Sequence, residues 1–321
     1  CYYIYALTMD GRTQTGLAAC ASIDDYTNGV ILQHEKTLEA KEQDRIRHID
    51  TCSAQTGPIF LTHRPNAALH QITDRVKSGN ALYDFTGSDG IRHQVWKIED
   101  PDDIENISRI YAGIPHLYIA DGHHRAASAV KVGLSRRAAD PGFSGSEEYN
   151  FFLSVLFPSD ELKIYGYDRV VTDKNGYTFT SFLDKIKDSF NITRIGAGPY
   201  RPEDKGAFGI YSGGVWYRAQ AHTSLMSDDP VSGLDVSILQ DHILAPVLGI
   251  RDPKTDSRIR FVGEIKGAEA LEHIADDSGG IAFSMHPTSM EELLRIADSG
   301  RLMPPKSTWF EPKLRSGLFI H

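Results

Sequence analysis

The sequence predicts a mixed α/β or α+β protein, with mixed sheets and flanking helices. Short apolar runs of strand length recur along the chain, among them Tyr2 to Leu7, Leu117 to Ala120 and Phe151 to Phe157. Longer charged stretches without Gly or Pro, which suit helices, lie between them. Turn pairs such as Asp10-Gly11, Asn28-Gly29 and Asn175-Gly176 separate the two kinds. This alternation carries the class, while the order of strands in a sheet does not follow from it.

Taken in order, Tyr2 to Leu7 reads as a strand that Asp10-Gly11 turns into a second strand, Gly16 to Ser22. A chain does not ordinarily open inside a strand at Cys, so an N-terminal segment is expected to be missing. His34 to about Cys52 reads as a helix, Pro58 to Leu61 as a buried strand, and Gln71 to Gly79 as a helix. Leu82 to Ile98 reads as a hairpin folded at Ser88-Asp89-Gly90, and Ile104 to Ala112 as a helix. The strand Leu117 to Ala120 then meets a turn, and a helix follows through Arg125 to Val132, closed by Gly133. The Pro, Gly and Ser of Arg136 to Glu148 suit a linker or mobile loop. Beyond it, strands are expected at Phe151 to Phe157, Leu162 to Val171, Arg260 to Ile265 and Gly280 to Met285. Helices are expected at Ser181 to Phe190, Asp235 to Leu248, Ala268 to Ala275 and Met290 to Ala297.

With 321 residues, 40% of them hydrophobic, the chain can form two cores of ordinary domain size. The expected portions are 1–135, bearing the turn at residue 121, and 150–321, an α+β portion packing on the site. No apolar stretch approaches the roughly 20 residues of a membrane helix, and Cys1 to Met9 lacks a signal-peptide pattern, so a cytoplasmic location is expected. The three cysteines suggest neither a disulfide framework nor a zinc site, and Cys20 and Cys52 read as small buried hydrophobes. A net charge of -9 opposes the broad positive field that nucleic-acid binding needs.

Three groups of residues could carry chemistry. The first is Asp121-Gly122-His123-His124-Arg125, where a buried strand meets a helix. Backbone amides at such a turn can face an anion, and Gly122 lets the backbone come close. Arg125 can grip phosphate oxygens bidentately, Asp121 can hold a divalent metal or orient a histidine, and His123 and His124 can donate hydrogen bonds or move protons. The plainer alternative is an Asp-capped helix with surface histidines.

The second group runs from His34-Glu35 to Asp44-Arg45. At about 100° per residue, His34, Thr37, Lys41, Arg45 and His48 would share one helix stripe beside the apolar stripe of Leu38, Ile46 and Ile49. A solvated charged face explains the same pattern. Glu35 is either a carboxylate placed favourably near a helix start or a general base. The third group is Pro304-Pro305-Lys306-Ser307-Thr308, where two prolines would display Lys306, Ser307 and Thr308 from a restrained loop. A Pro-rich turn pinned by Trp309 and Phe310 serves equally well. The sequence contains no Walker A run, dinucleotide glycine fingerprint or kinase catalytic-loop set, and adjacent histidines are a poor copy of a helical zinc pair.

Together these segments resemble a bacterial and archaeal domain-of-unknown-function family recognised by the DGHHR signature and sometimes labelled ParB-like. The resemblance takes in Gly16-Leu17 with Tyr26, the His34 to Arg45 block, Pro58-Ile59-Phe60, His93 to Trp96, Asp121 to Arg125, Leu234-Asp235 with Leu248-Gly249, and Pro304 to Leu318. The run PPKSTWFEPKL is the second specific signature. The turn is also similar to that of ParB/sulfiredoxin-fold proteins, where a related turn binds nucleotide phosphate, and to that of free-serine kinases, where a glutamate on an earlier helix is the base. The resemblance therefore implies a ParB/sulfiredoxin-like core plus a second α+β portion, and phosphoryl transfer between a donor (ATP, ADP or pyrophosphate) and a small hydroxyl compound such as L-serine. In that reaction Glu35 is the base, Gly122, His123, His124 and Arg125 bind phosphate, and Asp121 anchors a metal, Mg2+, or a histidine. Lys41, Arg45, Lys306, Ser307 and Thr308 are further phosphate contacts. The expected partners are these small molecules, with no membrane and no nucleic acid, and a homo-oligomer is compatible with the reading. The alternative is a ParB-like nucleotide-gated binding protein with a nucleic-acid or protein partner.

Overall fold

Asp10 and Gly11 both take positive φ, 51° and 76°, as a two-residue hairpin turn requires. In a computed structural model of the chain, this turn joins β1 (Tyr2–Met9) to β2 (Arg12–Ser22) antiparallel, with Met9 opposite Arg12. The structure describes residues 2–321 apart from the Lys41 side chain. The chain divides into two units, Cys1–Leu162 with Pro312–His321, and Lys163–Glu311.

The first unit adds β3 (Ile31–Leu32), β4 (Ile59–His63), β5 (Tyr83–Thr86), β6 (Arg92–Ile98), β7 (Leu117–Asp121) and β8 (Phe151–Pro158). They form one mixed eight-stranded sheet in the order β3-β7-β4-β8-β2-β1-β6-β5. Five helices belong to it: α1 (Ile23–Thr27), α2 (Glu39–Cys52), α3 (Ala67–Lys77), α4 (Pro101–Ala112) and α5 (His123–Ala139). Ile59, Leu61, Ile119, Ala126, Val130 and Phe152 form a core cluster between the sheet and α5. Ile4, Ala6, Ile72, Trp96 and Ile107 form a second cluster with α3 and α4. These are the residues whose periodicity marked the elements, and their burial is the main stabilising term.

Several sequence expectations change here. β8 lies between β4, its parallel partner, and β2, its antiparallel partner. Residues 151–158 therefore complete the first unit's sheet, and the chain passes to the other unit at Leu162/Lys163 rather than in the 136–148 stretch. Gly133 does not close α5, which runs on to Ala139. A Cβ at Gly133 would stand 2.3 Å from the Tyr149 carbonyl oxygen and 2.9 Å from Ile23 Cδ1, so glycine serves close packing at mid-helix. Cys20 and Cys52 are exposed, not buried: Cys20 lies near the end of β2 and Cys52 in the last turn of α2. Cys1 lies outside the described residues.

The second unit contains β9 (Ile164–Tyr165), β10 (Tyr167–Val171), β11 (Phe190–Gly196), β12 (Ala207–Ser212), β13 (Val215–Ala221), β14 (Ile259–Gly263), β15 (Ile281–Met285) and β16 (Trp309–Phe310). Six of them make an antiparallel sheet in the order β11-β13-β12-β15-β10-β14, and β16 pairs with β9. Its α-helices are α6 (Phe179–Ile186), α7 (Asp235–Leu239), α8 (Gly267–Ser278) and α9 (Met290–Asp298). Trp216, Val170, Val262 and Leu271 belong to its core. The strands β11 to β13 had no sequence expectation; β11 is largely exposed and lacks a clean alternation. The helix expected over Asp235 to Leu248 changes after Leu239 into a π-helical turn, Gln240–Leu244. No helix among the described residues is long and apolar enough to cross a membrane.

Candidate functional site

The turn after β7 is built by a glycine. Gly122 sits at φ 99°, ψ 27°, a conformation that a side chain would strain, and it is the N-cap of the 17-residue helix α5. Its lack of a side chain leaves the first turn of α5 without a side-chain cap. The first-turn amides of a helix point outward without intrahelical partners, which favours an anion there.

Arg125 folds back over this turn. A Cβ on Gly122 would lie 3.0 Å from Arg125 Nη2 and 3.1 Å from Nε, and a Cβ on Gly57 would lie 3.2 Å from Nη1. Two glycines thus make the seat of one half-buried guanidinium. Burial lowers its proton affinity, the Asp121 charge opposes that, and Arg45 adds a like charge. Among the described residues the Arg125 guanidinium has no hydrogen bond or ion pair. A guanidinium desolvated in part and without a hydrogen-bonded carboxylate is a ready anion ligand.

The segment bearing Glu35 is not helical. α2 begins at Glu39, with Leu38 as N-cap and no side-chain cap, so His34, Glu35 and Thr37 lie on a loop and do not share the stripe of Arg45 and His48. The reason is a contact distant in sequence. The His34 backbone N–H donates to His123 Nε2 at 3.4 Å, and the Leu38 N–H donates to His124 Nε2 at 3.0 Å. The rings of His34 and His123 meet edge-on at 4.4 Å between centroids. Glu35 is therefore held between two points that bind its loop to the signature.

An imidazole nitrogen that accepts an N–H carries no proton, so these contacts use neutral histidines. Burial and then the charge of His124 push His123 down to about 3. Burial, and after it His123, also place His34 well below the ordinary histidine range. At neutral pH His123 is thus an acceptor for its loop and not a cation.

On α2, Glu42 is buried and pairs with Lys131 of α5. The Ser128 hydroxyl bridges the same helices, 3.2 Å from the Glu42 carbonyl and 2.7 Å from that of His124. Hydrogen bonds from Lys131 and then Thr37 hold the Glu42 carboxyl below its usual value. Arg45 is exposed and pairs with Asp44 at 3.1 Å. Lys41 lies on α2, and its side chain is outside the described residues.

Asp121 pairs with Lys313 Nζ at 3.0 Å. Burial alone would raise its carboxyl pKa, but the charge and hydrogen bond of Lys313, with the charge of Arg125, leave it below the usual value. Asp121 is therefore an anion at neutral pH with a cation already on it. Among the described residues no group of three or more His, Cys, Asp or Glu side chains is arranged to hold a metal ion.

Lys306, Ser307 and Thr308 lie in the second unit, where the first two are engaged locally. The Lys306 carbonyl accepts from Arg169 at 3.0 Å, its ammonium stands 5.5 Å from the Tyr167 ring centre, and the buried Ser307 hydroxyl donates to the Pro304 carbonyl at 2.6 Å. The structure brings Glu35 to the signature and does not show these three there. Sequence reasoning passed over Lys313, Ser316, Gly57, Glu42 and Lys131. Lys313 stands in the PPKSTWFEPKL run itself, but the paired prolines drew attention to Lys306 instead.

No curated protein matches the sequence. Among solved structures, the chain is similar to free serine kinase in complex with AMP, at 14% identity and TM-score 0.44, covering 93% of this chain and 90% of that one. It is similar to a conserved hypothetical protein from Pyrococcus furiosus, at 13% identity and TM-score 0.44, with 93% and 94% covered. It is also similar to SbnI with C-terminal truncation from Staphylococcus aureus, at 10% identity and TM-score 0.48, with 92% and 82% covered. Residues 1–237, which hold both the signature and the Glu35 loop, match the family described as protein of unknown function (DUF1015), and the chain belongs to that family.

Proposed function

We propose that this protein transfers a phosphoryl group between a phosphate donor (ATP, ADP or pyrophosphate) and a small hydroxyl compound, with L-serine as the first acceptor to test. The observation that carries the reading is the half-buried, unpaired guanidinium of Arg125, seated on Gly57 and Gly122 at the uncapped start of α5. The choice of serine rests on the likeness of the turn to that of free-serine kinases.

A hydroxyl is a weak nucleophile, so the step needs a base beside a cationic clamp. Glu35 is the proposed base, since its loop is bound to His123 and His124. In the step, the Glu35 carboxylate takes the hydroxyl proton as the oxygen forms its bond to phosphorus. The bond from phosphorus to the donor's leaving oxygen breaks, and that oxygen departs with the electron pair. Arg125 and the α5 amides hold the transferring oxygens, and Arg45 adds positive field. His123 and His124 keep the base in place as neutral acceptors. Asp121, with Lys313 on it, offers Mg2+ only a partly neutralised carboxylate, and among the described residues no group of three or more His, Cys, Asp or Glu joins it, a poor donor set for the ion.

The test follows O-phosphoserine formation from L-serine with each donor, together with donor affinity by titration calorimetry. Arg125→Ala is expected to weaken pyrophosphate binding by about 1.5–3 kcal/mol, the worth of a hydrogen bond to a charged group. Glu35→Gln is expected to lower turnover by roughly 10²-fold with donor affinity nearly unchanged, as for loss of a general base. Unchanged affinity in folded Arg125→Ala protein removes the clamp. Absence of phosphotransfer with every donor in the parent protein removes the reaction.

A further inference from the structure

We propose that the C-terminal segment Pro312–His321 is a working part of the same anion site, with Lys313 as its second cation and Ser316 as a hydroxyl donor, and that these residues select a polyphosphate over a single phosphate. This rests on the reading of Arg125 as a phosphate ligand.

The segment belongs to the first unit, although 149 residues of the second unit, Lys163–Glu311, separate it from the rest. It is held along its length. The Pro312 carbonyl accepts from Gln14, and Arg315 pairs with Asp89 at 3.0 Å. Gly317 N–H donates to the Thr56 carbonyl at 2.7 Å, and Gln55 and His321 exchange two backbone hydrogen bonds of 2.7 and 3.1 Å. Phe319 packs on Tyr3 and Tyr5, with ring centres 5.7 and 5.5 Å apart. Ordering a backbone costs conformational entropy at every residue, so a segment held this way is an integral part of the unit.

Its fixed course delivers two side chains to the signature. Lys313 Nζ reaches Asp121, the residue before Gly122. The Ser316 hydroxyl and Arg125 Nη1 converge on Gly57, at 3.3 and 3.2 Å from the point a Cβ there would occupy. Gly57 follows Thr56, the residue that binds Gly317, so the contact fixing the segment also fixes this convergence.

Charge then favours a larger anion. Arg125 and Lys313 both act on one carboxylate, Asp121, whose proton affinity registers the two charges, so a positive charge remains in excess there. One phosphoryl group fits on Arg125 and the helix start. A pyrophosphate or the tail of a nucleoside di- or triphosphate carries a second charged group, which Lys313 and Ser316 can meet. Lys313 is accordingly a specificity-determining residue for the donor.

The experiment measures pyrophosphate and inorganic phosphate binding to the full chain by titration calorimetry, with apo thermal unfolding in parallel. The variants are Lys313→Gln, Lys313→Arg, Ser316→Ala and Arg125→Ala. Lys313→Gln keeps a donor for Asp121 and loses the charge. It is expected to weaken pyrophosphate at least tenfold and phosphate less than threefold, with Lys313→Arg restoring most of the loss. Ser316→Ala, which leaves the Lys313–Asp121 pair intact, is expected to weaken pyrophosphate severalfold and so tests the segment even should Lys313→Gln fail to fold. A merely structural role for Lys313 would lower the apo melting temperature and move both anions alike. Should the parent bind neither anion, the Arg125 reading itself falls. Should Arg125→Ala lose pyrophosphate while Lys313→Gln and Ser316→Ala keep it, this inference alone is overturned.

Discussion

Replacing Gly122 by alanine tests the site at its narrowest point. Two penalties are expected from one methyl group. The backbone at φ 99° lies on the side that L-residues avoid, at about 1–2 kcal/mol for a non-glycine residue. The new Cβ would also stand 3.0 Å from Arg125 Nη2 and 3.1 Å from Nε, tighter than ordinary contact, so the guanidinium must give way by a few tenths of an ångström. Displacing it should weaken pyrophosphate about tenfold, which is about 1.4 kcal/mol. Gly11→Ala is the internal control, because Gly11 has φ 76° and nothing within 4 Å of its would-be Cβ. It carries the backbone penalty without touching Arg125. Urea unfolding and calorimetric titration of both variants separate the two effects: both should lose stability, and only Gly122→Ala should lose anion affinity. Equal pyrophosphate affinity in folded Gly122→Ala and parent protein would refute the placement of the anion at Arg125.

Two further outcomes concern pH. His123 titrates near 6.5 when unfolded and at about 3 when folded, so only the unfolded chain binds its proton between those values, and stability is lost as pH falls through that window. Between pH 6.5 and 5 the loss from His123 should be about 2 kcal/mol, with His34 adding in the same direction, and urea midpoints that stay level from pH 7 to 5 would contradict it. Glu42 has its folded pKa depressed, chiefly by Lys131, so its contribution is complete above its unfolded value of 4.5 and fades as pH falls through the folded one. Lys131→Met should raise the Glu42 pKa and move the acid-unfolding midpoint to higher pH, and an unmoved midpoint would show that the pair contributes nothing.

The elements that could be read from the sequence were those whose signal is local. The hairpin at Asp10-Gly11, the strand Leu117 to Ala120 and the helix after Gly122 each follow from a turn pair or an apolar period, which act within a few residues. The signature itself was legible for the same reason: a glycine between a buried strand and a helix, followed by an arginine, states a turn and a charge in five consecutive residues. Composition also fixed the mixed class, because alternating apolar runs and charged stretches can bury their faces only as sheets with helices against them.

Only the tertiary structure decided which residues meet that turn. His34 to Leu38 carries helix-forming residues, yet two imidazoles from the signature take its amides and hold it as a loop. β8 follows a loop-like stretch and looked like the start of a new portion, but it pairs with β2 and β4, more than 90 residues earlier, because they offer unpaired backbone and matching apolar faces. Lys313 lies 192 residues from Asp121, a separation over which no pattern in the sequence reports. Propensity and turn chemistry act between neighbours in the chain, and they wrote the signature. Backbone pairing and charge act between neighbours in space, and they supplied its surroundings.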